Sequence, residues 1–123
     1  MAALAFSGEI MGSQALAQSV NTNPVVVRRL LLALRRAGLI ETFAGKNGGA
    51  RLSKPATVVS LRDIYDAVEP RPVIAVSKRK AWRHCPVSCR MNEIMTAVAE
   101  KAEEAMRDHL AAVTLKKLVR QIS

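Results

Sequence analysis

No stretch of this 123-residue chain is apolar for long enough to cross a membrane. Half of the residues are apolar, yet no run approaches the roughly 18 to 20 residues that a bilayer span requires, and no basic region precedes the apolar N-terminal stretch. A soluble, cytoplasmic protein without a membrane partner is therefore expected. Cysteine is nearly missing too. Cys85 and Cys89 are the only two, and a pair four positions apart is no disulfide framework for a secreted domain, so it reads as a local thiol site or as packing. Catalytic constellations are also wanting. Neither His84 nor His109 has a Ser, Cys or carboxylate at a spacing that makes a triad or a metal-binding helix motif.

Acidic side chains are scarce in particular places. Nineteen Lys and Arg against ten Asp and Glu leave a formal charge of +9, a balance that favours a polyanionic partner. Residues 21 to 54 hold seven bases and one acid, Glu41, and residues 78 to 90 hold five bases and no acid, whereas residues 91 to 113 hold five acids and two bases. Membrane attraction would line an amphipathic helix with bases. The long amphipathic segment here is the acidic one, so nucleic acid is the better reading.

What is present has a clear order. Ser13 is placed to cap a short helix over Gln14 to Gln18, and Val20-Asn21-Thr22 makes a turn. Asn23 as N-cap and Pro24 at the first helical position open a second helix that runs to Ala37, with Gly38 after it. On a 3.6-residue wheel Val26, Val27, Leu30, Leu31, Leu34 and Ala37 share the face expected in the core, and Val25, Arg28, Arg29, Leu32, Arg35 and Arg36 the opposite one. A solvated face ordinarily mixes charge signs. Four arginines with no acid among them point to an anionic partner.

Residues 39 to 43 and 50 to 53 are strand candidates around a loop containing Gly45, Gly48 and Gly49, which gives a basic hairpin. Ser60 and Asp63 form a capping box for a helix ending near Pro70. Residues 70 to 84, with two prolines and five bases, read as a basic linker. From Pro86 to about Ala112 nothing breaks the helix, and Met91, Met95, Val98, Ala102, Met106, Leu110 and Val113 form one stripe. A helix of that length, about 40 Å at 1.5 Å per residue, outruns a core of this size, so a second copy is expected to cover Met95, Val98, Ala102, Met106 and Leu110.

The run from Ser19 to Leu31, Ala37-Gly38-Leu39-Ile40, the Gly48-Gly49 pair, the segment from Leu61 to Val68 and Val113-Thr114-Leu115 resemble, in order, the Rrf-two (BadM) family of bacterial transcription regulators, closest to the branch without the three-cysteine iron-sulfur motif. The resemblance covers most of the chain. It implies a mainly α fold with a small β-hairpin wing, in which a winged helix-turn-helix is joined to a long C-terminal dimerisation helix, and it implies a homodimer that is usually a repressor. Three segments are then expected: a DNA-binding domain over 1–69, the linker over 70–84, and the dimerisation helix with a terminal turn over 85–123. Two departures from the family pattern stand out. Only Ala2 to Phe6 matches the usual first helix, which reads as truncated, and Ala50 stands where the wing commonly has an aromatic.

Within this frame Thr22, Asn23, Val25, Arg28 and Arg29 lie at the end of the second helix that enters a major groove. Arginine pairs bidentately with guanine, Asn with adenine, and Val25 can meet a thymine methyl. Asn23 is equally well read as a cap alone, and Arg35 and Arg36 as phosphate contacts or favourable charges near the helix C-terminus. Lys46, Asn47 and Arg51 on the wing can reach phosphates or a minor groove. Cys85 and Cys89 at the start of the long helix can serve as a thiol sensor, since a helix N-terminus flanked by Arg83, His84 and Arg90 favours thiolate. An iron-sulfur cluster normally takes four ligands, so no cofactor and no metal are expected. The leading function is a homodimeric DNA-binding repressor responsive to thiol chemistry. A dimeric protein-protein adaptor that has lost specific DNA binding is the alternative, and a small thiol enzyme would need a pocket that nothing in the sequence indicates.

Overall fold

The computed structural model describes residues 1–69 and 85–122, with only the backbone of Ser88. Six helices and one hairpin follow in the expected order among them: α1 (Ala2–Ser7), α2 (Ser13–Ser19), α3 (Pro24–Arg36), β1 (Ile40–Phe43), β2 (Gly49–Leu52), α4 (Leu61–Val68), α5 (Pro86–Ala111) and α6 (Leu115–Ile122). They divide into two compact units, one of Met1–Pro70 with Leu110–Ser123 and one of Arg71–His109. The expected linker over 70–84, with Trp82 and His84, lies outside the described residues.

In the first unit, α1 stops where Gly8 turns left-handed at φ 68°, a conformation that costs glycine nothing. Helix α2 starts one residue before the position expected from a serine cap. Gly12 is the N-cap and Ser13 is already helical, because Met11 is held beforehand as a strand residue, exchanging two 2.9 Å backbone hydrogen bonds with Ala50. The turn between α2 and α3 puts Asn21 at φ 53° and is closed by the Thr22 N–H donating to the Ala17 carbonyl at 2.9 Å. Asn23 then caps α3, its Oδ1 accepting from the Val25 N–H at 2.8 Å, and Pro24 takes the first helical position.

The hairpin pairs antiparallel in a register from Ile40 opposite Leu52 to Phe43 opposite Gly49. Its glycine pair is there for space: a Cβ on Gly49 would run into the Met11 carbonyl, and one on Gly48 into the Phe43 carbonyl. Ala50, between Thr42 on one side and Met11 on the other, is fully buried.

Leu4, Leu16, Ala17, Val27, Leu34, Leu39, Ile40, Ala50, Val59 and Leu115 form one core cluster, to which α1, α2, α3 and α6 each give a buried residue; Ile64, Ala67 and Val68 of α4 pack on its edge. Helix α4 carries the expected capping box, with Asp63 N–H donating to Ser60 Oγ at 3.2 Å and Ser60 N–H to Asp63 Oδ2 at 3.0 Å. The terminal turn expected with the 85–123 segment instead belongs to this unit. Leu115 has no exposed surface, its N–H donates to the Val59 carbonyl at 2.9 Å, and the Leu61 N–H donates to the Val113 carbonyl at 2.9 Å. Periodicity reveals which face of a helix is apolar but not which body covers it.

Helix α5 falls in the second unit up to His109. Along it Met91, Ile94, Met95 and Val98 are 41 to 56 % exposed. Ala102 is exposed, and Met106 and Leu110 are half-buried.

Candidate nucleic-acid interface

Helix α3 is anchored by Val27 and Leu34, which are buried, and by half-buried Leu31. Three residues expected beside them are not in the core: Val26 and Leu30 are each 43 % exposed, and Ala37, the C-cap, is exposed as well. Leu30 faces an apolar cleft of about 600 Å³ that it shares with Leu4 and Phe6 of α1 and Ile122 of α6, so short α1 leaves that end of the face uncovered. On the opposite side Val25, Arg28, Arg29, Leu32, Arg35 and Arg36 are all exposed, as are Thr22 and Asn23 ahead of them. Among the described residues none of the four arginines is in an ion pair. The helix thus presents a solvated face of one sign, as the sequence pattern requires.

The wing divides its basic residues between two situations. Lys46 and Asn47 are exposed on the loop between the strands, which Gly45 turns at φ 99° and the Gly48 N–H closes onto the Gly45 carbonyl at 3.0 Å. Arg51 lies on β2 opposite Glu41. Its Nε and one terminal nitrogen both reach Glu41 Oε2 at 3.1 Å, and its guanidinium stacks over the Phe43 ring 5.0 Å from the centroid. Arg51 therefore spends its side chain on stiffening the hairpin. Each of these half-exposed contacts is worth on the order of 1 kcal/mol or less. Phe43, which sequence reasoning passed over, is the ring that Arg51 covers.

Between α3 and the wing runs a cleft of about 450 Å³ whose walls include Arg28 and Arg35, Gln14 of α2, and Thr42 and Phe43 of β1. Sequence reasoning singled out Arg28 as a base reader and placed Arg35 as a phosphate contact or a charge near the helix C-terminus, but it did not join them. Their spacing of seven puts them on one side of a helix. What that side faces depends on how the hairpin folds back, which is not a local signal.

Cys85 precedes α5 at the position expected of an N-cap, half-buried, and Cys89 is exposed one turn on, its N–H donating to the Cys85 carbonyl at 3.0 Å. No disulfide joins the two thiols.

Comparison with known proteins bears on this geometry. The profile of the Rrf2 family, described as an iron-dependent transcriptional regulator, matches residues 1–121. YwnA of Bacillus subtilis, named as an HTH-type transcriptional regulator, is 32 % identical over 114 residues, which are 93 % of this chain and 85 % of its own. Among solved structures, one named as a DNA-binding protein is 32 % identical with a TM-score of 0.73, covering 95 % of this chain and 97 % of its own. The oxidised form of Staphylococcus aureus CymR is 26 % identical with a TM-score of 0.65, over 96 % of this chain and 85 % of its own. Among the described residues no three His, Cys, Asp or Glu side chains gather to hold a metal ion, and the two cysteines supply half of the four ligands a cluster normally takes.

Proposed function

The chain belongs to the Rrf2 family of transcriptional regulators, a DNA-binding and non-enzymatic class, and from that premise we propose that it is a sequence-specific, homodimeric, cytoplasmic repressor whose α3 enters the major groove. Thr22, Asn23, Val25, Arg28 and Arg29 stand at the leading end of α3, and Lys46 and Asn47 at the tip of the wing. The observation that carries the reading is the exposed face of α3, four arginines without an acid or an ion pair. An unshielded stripe of that kind is self-repelling and is relieved by phosphate. The Asn23 side-chain oxygen Oδ1 serves as the cap, so its side-chain nitrogen Nδ2 is the atom offered to a base edge. Pairing of two copies is supported by Met91, Ile94, Met95 and Val98, four large apolar side chains exposed along one helix.

The regulated step is assigned to the thiols. Cys85 and Cys89 lie one turn apart at the N-terminal end of α5, and S. aureus CymR is known in an oxidised form. The reading needs no metal or other cofactor. A gel shift on the DNA upstream of the protein's own gene, with reduced and oxidised protein, tests it. Specific retention over random duplex, altered by oxidant in the wild type and unaltered in Cys85→Ser, is the expected result. Failure to prefer any duplex would leave a dimeric adaptor, and equal oxidant responses in both proteins would remove the thiols from the mechanism.

A further inference from the structure

The four arginines of α3 do not all face the same surroundings. Arg28 and Arg35 line the 450 Å³ cleft between α3 and the wing, whereas Arg29 and Arg36 do not. The other cleft walls hold Ser13, Gln14 and Thr42 with the backbone of Gly48 and Gly49, and no lining side chain is acidic. Seven residues at 1.5 Å each put the two arginine positions about 10 Å apart along the helix. Each strand of a duplex carries a phosphate every 3.4 Å or so of its axis, so one strand laid along the cleft meets both guanidiniums. Arg51 on the hairpin is held by Glu41 at 3.1 Å and covers the ring of Phe43, which lines the cleft.

We infer that this cleft is a phosphodiester trough: Arg28 and Arg35, assisted by the Gln14 amide and the Thr42 hydroxyl, grip the backbone of one DNA strand passing between α3 and the wing. Base reading by arginine then falls to Arg29. The inference rests on the chain being a DNA-binding regulator and assigns within it a site that separates positioning from specificity. A guanidinium fork matches phosphate oxygens two at a time, and such contacts fix register without carrying sequence information.

The salt dependence of duplex binding tests the trough, measured for the wild type, Arg35→Ala and Arg36→Ala on a selected site and on random duplex. Arg35 and Arg36 are exposed, carry the same charge and are adjacent on the same helix, so Arg36→Ala controls for the loss of one charge. Arg35→Ala is expected to lower the slope of log K against log salt by about one and to weaken both duplexes by the same factor. Arg36→Ala, which removes a charge from the same face but not from the cleft, is expected to lower the slope by clearly less. Equal slopes for the two variants overturn the trough while leaving DNA binding intact, and a wild type that binds no duplex overturns both. In a second arm, inorganic tripolyphosphate is titrated into DNA-free protein. Saturable binding lost in Arg35→Ala, with no change in the duplex slope, would assign the cleft to a free phosphorylated ligand instead of a DNA strand.

Discussion

Asn23 and Gly49 show how single positions set the reading surface. Asn23 holds the first turn of α3 by its 2.8 Å bond to the Val25 N–H, which settles where the arginine face starts. That was legible, because Asn followed by Pro has few other uses ahead of an apolar helix. Gly49 was legible as a turn glycine, but its reason was not: it is needed because Met11 passes against it, a contact 38 positions away in the chain. Replacing Gly49 with Ala should push Met11 off Ala50, lowering stability by about 1 to 3 kcal/mol and lowering the urea midpoint. A midpoint equal to that of the wild type would mean the Met11 strand is not held as described. Arg51 is the position where reasoning by charge was least informative, since a base in a basic hairpin gives no sign that Glu41 and Phe43 already hold it.

Among the elements, α2, α3, the hairpin, α4 and α5 were readable because each has its own period or cap. Helix α6 was readable as a helix, and its allegiance was not. Burying Leu115 beside Val59 and Leu4 ties the chain's last described turns to the DNA-binding unit and offsets the small contribution of the six-residue α1. Leu115→Ala should therefore cost about 2 to 5 kcal/mol and should destabilise that unit even in a monomeric background, which thermal unfolding followed by circular dichroism can measure. An unchanged transition would return α6 to the dimerisation segment. Helix α5 makes the opposite case. Its stripe was read from spacing, Ile94 escaped notice because Met95 filled the same turn, and Val98 at 56 % exposure has nothing to gain from solvent. Val98→Glu together with Met106→Glu places charge where the partner copy is proposed to pack, and sedimentation should find monomers. An intact dimer would show that the copies pair elsewhere.

For the molecule as a whole, the charge partition along the chain was the most informative signal. It separated a basic half from an acidic helix, and so favoured a nucleic acid as the partner. What charge could not supply is the division of labour among arginines on one face, because that depends on the hairpin folding back beside α3. The account makes α3 a reader of sequence and not only a cation, and the most direct measurement is parallel selection from a randomised duplex pool by the wild type and by Arg29→Ala, with affinities then taken at one salt concentration. The account predicts a defined preferred site for the wild type, relaxed at one base pair in Arg29→Ala, with a loss of about 1 to 3 kcal/mol confined to that site. Equal loss of affinity on selected and random duplexes, with no base pair relaxed, would contradict it and make α3 an electrostatic anchor.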